Sequence, residues 1–271
     1  MNQKCLIELK KIAVAFQHAG QIHRALNTID LSIYDGEWIG IVGKNGSGKS
    51  TLASVLTGIC PTSKGSMEYH DASVQMVFQN PEAQIVGETI MEEICFGMEN
   101  QSIDPMEMRE RAESVLQQVG LTEALDQPIA SLSGGQKQLL NIASCLALRA
   151  SILVFDEATA MLDPLSRQRV MDIAVKLHRQ GQTIVWITQW MEELSGVDRV
   201  VALEEGNILF NGSRSEFFYD IASGSAKSPC EAMGFTLPYS VQVAKHLLSM
   251  GYELNGFPVS AAQLAEAVTI R

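Results

Sequence analysis

Gly43-Lys44-Asn45-Gly46-Ser47-Gly48-Lys49-Ser50 fits the pattern G-x-x-x-x-G-K-[S/T] at every fixed position. Few segments of this length commit a chain so firmly to one local geometry, because the pattern requires a strand before it and a helix after it. Both are legible: Trp38 to Val42 is a short apolar run, and Lys49 to Gly58 reads as a helix. The glycines let successive backbone N–H groups curl around a polyphosphate, and the helix N-terminus adds the positive end of its dipole. Lys49 is then expected to reach the β- and γ-phosphates, with the Ser50 hydroxyl on Mg²⁺ and Thr51 beside it. The chain is expected to bind a nucleotide.

The rest of the 271 residues suits one large α/β domain with a small appendage. Leu6-Ile7-Glu8-Leu9 and Ile29-Asp30-Leu31-Ser32-Ile33 alternate apolar and polar residues, which predicts antiparallel strands flanking the phosphate loop. Val74 to Phe78 predicts a further strand. From Pro81 to about Ala150 the pattern is helical, clearest over Pro105 to Val119 and Gly134 to Leu148. Strands return at Ile152 to Phe155, Thr183 to Thr188 and Val200 to Leu203, and a helix from Leu165 to Arg179 makes the first two a βαβ unit in a parallel sheet. Residues 206–212 read as a closing hairpin. A linker-like run, Ala222 to Pro229, precedes two short amphipathic helices around Ser240–Met250 and Ser260–Ala267.

Composition narrows the function classes. No apolar run is long enough to span a bilayer, and the first residues lack the apolar core of a signal peptide, so a cytosolic location is expected. The five cysteines have no C-x-x-C spacing and predict reduced thiols rather than a zinc site or disulfide frame. A formal charge of −11 argues against broad phosphate-backbone binding, so no nucleic-acid partner is expected.

Two more motifs bear on phosphate chemistry. Ile152 to Glu157 is an apolar strand ending in two carboxylates. A strand buried on both faces would deliver Asp156 at its C-terminal end, where open α/β sheets bind ligands. There Asp156 could hold a Mg²⁺-bound water and Glu157 could polarise the attacking water; the alternative is a solvated Asp-Glu pair. Leu132-Ser133-Gly134-Gly135-Gln136 places Ser133 as a helix N-cap, with two glycines that let backbone approach an anion. One triphosphate has little need of two such loops from one chain. A head-to-tail dimer, each loop closing over the partner's nucleotide, resolves the surplus.

With these motifs in hand, the chain resembles the ATP-binding cassette (ABC) ATPases over about residues 5–215. The resemblance implies a P-loop NTPase fold of α/β class, a mixed-sheet core with an antiparallel β subdomain and a helical subdomain at about 82–150. It implies ATP and Mg²⁺ as ligands. It matches Gln79 to a glutamine that touches Mg²⁺ and water, Met161-Leu162-Asp163 to a dimer-contacting loop, and His18 to the position of an adenine-stacking aromatic residue. One position departs: Gln189 follows Thr183 to Thr188 where the family places a histidine on the γ-phosphate. Glutamine donates a hydrogen bond but neither carries charge nor titrates, so slow hydrolysis is expected at the composite site that uses it; the rival reading is that Glu157 suffices and Gln189 is a tolerated variant.

Within that family, Phe78-Gln79-Asn80-Pro81-Glu82-Ala83-Gln84 is similar to a segment of the energy-coupling-factor transporter ATPases, as are Glu88 to Gly97 and the tail residues Phe235 to Tyr239 and Pro258 to Ser260. The resemblance implies an ABC ATPase domain over 1–221 and a C-terminal α extension over 222–271 that helps join two ATPase subunits. It implies a heterodimer with a paralogous ATPase on the cytoplasmic face of the cell membrane, beneath a transmembrane coupling subunit and a substrate-binding membrane subunit that import a vitamin or similar micronutrient. Glu88, Glu92 and Glu93 are expected to receive an arginine-bearing coupling helix, or else to form a solvated face. Alternatives are a cobalt or nickel importer, a catalytically weak scaffold paired with a competent partner, and an ABC ATPase without membrane partners, which would usually carry coiled-coil insertions or two cassettes.

Overall fold

The computed structural model describes residues 4–18, 21–219 and 227–268. The expected boundary at 221/222 and most of the linker-like run lie outside the described residues. Two long strands, β1 (Cys5–His18) and β2 (Gln21–Tyr34), form an antiparallel hairpin. Then come β3 (Trp38–Gly43), α1 (Lys49–Leu56), β4 (Lys64–Tyr69) and β5 (Val74–Val77). The helical segment holds α2 (Ile90–Asn100), α3 (Pro105–Val119) and α4 (Gly134–Ala147). The chain returns through β6 (Ile152–Asp156), α5 (Pro164–Arg179), β7 (Thr183–Ile187), β8 (Arg199–Glu204) and β9 (Asn207–Ser213). It ends with α6 (Arg214–Tyr219), α7 (Pro229–Ala232), α8 (Tyr239–Ser249) and α9 (Ala261–Ala267).

The strands make two sheets: β2-β1-β4, antiparallel, and β5-β6-β7-β3-β8-β9, parallel except for the β8–β9 hairpin. Because strand side chains alternate between faces, the central strands feed two separate cores. Trp38, Val42, Leu153, Phe155, Ile184 and Trp186 pack on one face with the helical segment and α5. Ile39, Ile41, Ile152, Val154, Val185 and Ile187 pack on the other with α1 and the antiparallel sheet. Burial on both faces is what the unbroken apolar runs predicted.

Local signals set the helix ends. The Asp104 side chain accepts the Met106 N–H at 2.9 Å, Pro105 supplies a fixed φ at the first helical position, and Gly120 closes α3 in the left-handed region. Asp163 and Pro164 open α5 in the same way. Beneath the sheet, Arg199 forks onto Glu37, Nε to Oε1 at 2.6 Å and Nη2 to Oε2 at 2.9 Å, and also donates to the Ser32 carbonyl at 2.7 Å. That pair fastens β8 to the entry of β3 and to β2.

The sequence reading missed β4 and did not separate α2. β4 is Lys-Gly-Ser-Met-Glu-Tyr with five of its six residues exposed, so it offers no apolar alternation to detect. It forms because β1 provides an edge to pair with.

Candidate functional site

The C-terminal ends of β3, β6 and β7 converge on one cluster. The loop after β3 wraps tightly: Gly48 has φ 104°, and a Cβ there would lie 2.5 Å from the Ala25 carbonyl oxygen, so both conformation and space demand glycine. Lys49, buried at the first position of α1, donates from Nζ to the carbonyls of Gly43 at 2.9 Å and Lys44 at 3.2 Å. Its ammonium is 3.6 Å from Glu157 Oε1. The Ser50 hydroxyl donates to Asp156 Oδ1 at 3.2 Å, and Gln189 Nε2 donates to Glu157 Oε2 at 3.2 Å. Phosphate loop, Asp156, Glu157 and Gln189 thus form one continuous chain of polar contacts.

Electrostatics and strain mark the same place. Burial pushes the Asp156 carboxyl above its ordinary range; the Ser50 hydroxyl and Lys49 pull it back, and Glu157 adds to the rise. A cation beside it would favour the charged form. Glu157 holds φ at 48°, with its N–H on the Ile187 carbonyl at 3.0 Å. A non-glycine residue in that region costs on the order of 1–3 kcal/mol, and such strain clusters at functional sites.

The residues present suit a magnesium nucleotide. Ser47 Oγ is buried with no hydrogen-bond partner, and a Cβ on Gly43 would lie 2.3 Å from it, so the loop is a cradle with a polar atom to spare. Ser50 and Asp156 offer hard oxygen donors of the kind Mg²⁺ takes. Lys44, Asn45, Gly46 and Ser50 are exposed along the loop, and Thr51 is half-buried.

Gln79 leaves β5 two residues past Val77, which pairs with Phe155, so it is exposed beside Asp156 and Glu157. His18 ends β1 opposite Gln21; its side chain lies outside the described residues. Asp163 is exposed and accepts the N–H groups of Leu165 at 3.0 Å and Ser166 at 3.1 Å.

The Ser133 loop stands apart from this cluster: among the described residues no hydrogen bond joins it to the phosphate loop. Ser133 and Gln136 form a capping box, Gln136 N–H to Ser133 Oγ at 3.3 Å and Ser133 N–H to Gln136 Oε1 at 2.8 Å. Gln136 Nε2 also donates to Glu123. The two glycines differ. A Cβ on Gly135 would lie 2.3 Å from Ser166 Oγ, whereas one on Gly134 meets nothing within 4 Å. Gly135 is glycine to let α4 approach α5, and among the described residues nothing asks the same of Gly134.

Comparison with known proteins bears on the same residues. Residues 26–160 match the ABC transporter family. The energy-coupling factor transporter ATP-binding protein EcfA1 of Halalkalibacterium halodurans is 37% identical over 269 residues, covering 94% of this chain and 95% of that one. The chain belongs to the ABC transporter family, in its energy-coupling factor ATP-binding group. EcfA of Methanosarcina acetivorans, another such ABC protein, is 38% identical across 88% of this chain and 91% of its own. Among solved ABC structures, cbiO1 from Clostridium perfringens, described as part of the ABC transporter complex cbiONQ, superposes with a TM-score of 0.71 at 27% identity, covering 80% of this chain and 91% of that one.

For this ABC chain the acidic segment after Gln79 is used differently from the expectation. Glu93 is buried, and its Oε2 accepts the N–H groups of Val86 at 2.8 Å and Gly87 at 2.9 Å. Glu92 Oε2 accepts those of Glu88 at 2.8 Å and Thr89 at 3.2 Å, closing the capping box of α2. Both carboxylates serve the backbone, but only Glu93 is withdrawn from solvent; Glu88 and Glu92 stay exposed, as the expected reading needs. Sequence reasoning also missed Thr159, Arg167, Thr188 and Glu193, which pack behind Glu157 and Gln189. Glu193 sits in an acidic pair typical of a surface turn, and only the tertiary structure shows it buried.

Proposed function

We propose that this chain is the ATP-hydrolysing subunit of an energy-coupling factor type ABC importer, driving uptake of a vitamin or similar micronutrient through membrane partners. The observation that carries this reading is that two adjacent loop residues meet two adjacent carboxylates, Ser50 with Asp156 and Lys49 with Glu157, and that Glu157 in turn meets Gln189.

In this reading the N–H groups of Gly43 to Thr51 cradle the polyphosphate and Lys49 neutralises its β- and γ-oxygens. Ser50, Gln79 and Asp156, the last through water, would hold Mg²⁺, whose chemistry is to offset charge on the phosphate oxygens. Glu157 takes the proton of the attacking water, and Gln189 orients the γ-phosphate beside it. His18 stacks on adenine.

A second ATPase subunit, a paralogue, completes the site. Ser133, Gly134 and Gly135 close over the partner's ATP, with Gln136 fixing the Ser133 cap, and Asp163 lies at the contact between the two cassettes. The bare backbone at Gly134 supports this, since no described residue crowds it and a glycine there leaves room for a group from outside the chain to approach closely. ATP bridges the two cassettes; hydrolysis removes the bridge, and the motion passes near Gln79 to a transmembrane coupling subunit and a substrate-binding membrane subunit. The chain would then work at the cytoplasmic face of the membrane; no helix among the described residues is long and apolar enough to cross it.

The C-terminal extension, 222–271, contributes to joining the cassettes. α8 and α9 face α5 across an apolar groove of about 830 Å³ that includes Met171, Val175, Tyr239 and Leu264. The test is association. Co-expressed with its neighbouring ATPase and membrane subunits, a Glu157→Gln chain should form a lasting cassette dimer on addition of Mg-ATP, seen by sedimentation. Sedimentation unchanged by saturating Mg-ATP would overturn the reading, and mass identification of the co-purified membrane proteins names the partners.

A further inference from the structure

Behind the Glu157–Gln189 contact lies a carboxylate that the proposed chemistry leaves unused. Glu193, 5% exposed, accepts at Oε1 from the Thr159 hydroxyl at 2.6 Å, and at Oε2 from the Thr188 hydroxyl at 2.7 Å and the Trp186 indole N–H at 3.0 Å. Arg167 Nε lies 3.9 Å from Oε1. A carboxylate is costly to bury unless its lone pairs are answered, and here three donors and a cation answer them.

The positions of those donors matter more than their number. Thr159 stands two residues beyond Glu157, and Thr188 immediately precedes Gln189. The Thr188 hydroxyl also accepts the Trp190 N–H at 3.0 Å, so the backbone is pinned on both sides of Gln189. Arg167, from the first turn of the helix that Asp163 caps, lays its guanidinium over the Trp190 ring at 4.9 Å. One side chain therefore touches the segment after Glu157, the segment around Gln189 and the helix that starts at Asp163.

We infer that Glu193 is a positioning residue for hydrolysis: through Thr159 and Thr188 it sets the separation of Glu157 and Gln189, and through Arg167 it ties that separation to the cassette-facing end of α5. The inference rests on the ATPase reading above. A carboxylate that only stabilised the fold would make the same bonds, so the test must separate the two roles.

The assembled complex is assayed with Glu193→Gln and with Thr188→Val and Thr159→Val, shape-conserving changes that each delete one hydroxyl and keep the protein measurable should the Glu193 variant fold poorly. Steady-state and single-turnover ATP hydrolysis are followed over hours. Misplacement of reacting groups by an ångström can cost about a hundredfold, so kcat should fall by about ten- to a hundredfold while KM for ATP changes by less than about threefold, and Thr188→Ser should restore the rate. In a Gln189→Ala background Thr188→Val should cost little more, because the residue it positions is gone. A rise in KM at unchanged kcat, an equal fold-loss in both backgrounds, or wild-type rates in all three variants would overturn the inference while leaving the ATPase reading intact. A wild-type complex without turnover would overturn that reading itself.

Discussion

The two glycines that open α4 should respond in opposite ways to the same added methyl group. At Gly135 the new Cβ would lie 2.3 Å from Ser166 Oγ and 2.8 Å from Ser166 Cβ. A hydroxyl can rotate away, but Cβ cannot retreat without moving α5. Overpacking of this kind costs about 1–3 kcal/mol, and the better helix propensity of alanine returns up to about 1 kcal/mol. With the full return Gly135→Ala should therefore lose up to about 2 kcal/mol, or up to about 8 °C in melting temperature for a chain of this size. At Gly134 there is nothing within 4 Å to strike, so Gly134→Ala should hold or gain up to about 1 kcal/mol. Thermal melting of the isolated chain reads both, and Ser166→Gly added to Gly135→Ala should recover part of the loss. The more stable variant should nonetheless be the inactive one: Gly134→Ala in a Glu157→Gln chain should no longer associate on addition of Mg-ATP. Equal melting shifts for the two variants would refute the packing argument, and undiminished association by Gly134→Ala would refute the use of that surface.

Gln189→His should raise ATP turnover of the assembled complex, by up to the hundredfold order that one well-placed donor can supply; an unchanged or lower rate would show that Gln189 does not limit it. Arg199→Ala strands the buried Glu37 carboxylate and should cost about 3–5 kcal/mol in urea unfolding, with Arg199→Lys recovering only part because an ammonium cannot fork. Burial alone would lift the Glu231 carboxyl, but Lys245 Nζ at 2.6 Å, with the Ser228 N–H and hydroxyl, outweighs it and holds the group down at about 2. A depressed carboxylate stabilises the fold above its ordinary value, and that contribution fades as pH drops from there through about 2; the melting difference between wild type and Lys245→Met should shrink over that range.

The two segments that meet in the candidate site were legible as strand exits because the residues of each are consecutive. Gly43 to Ser50 and Ile152 to Glu157 are each a strand and its exit, and a strand buried on both faces announces itself as an unbroken apolar run. Helix starts were legible at Asp104-Pro105, where a cap and a proline coincide, but not at Ser228-Pro229, which was read as linker and opens α7. What escaped depends on distant partners. β4 pairs as a strand against β1, and the close approach that asks for glycine at position 135 comes from Ser166 on α5. Glu93 and Glu193 look like surface acids in sequence, yet each is buried against donors that no spacing rule brings near.

The fate of the acids around α2 changes how that rim can meet another protein. With Glu93 turned inward onto amides, what this stretch offers solvent is Val86, 63% exposed, and Phe96, 49% exposed, beside the exposed carboxylates of Glu88 and Glu92. A helix settling there would meet apolar contact from Val86 and Phe96 as well as charge from Glu88 and Glu92, so strong brine should loosen its hold without abolishing it. A lysine swapped in for Glu93 would strand the amides of Val86 and Gly87 and disturb the rim before any neighbour arrived, and the resulting loss of transport would be mistaken for a broken handshake.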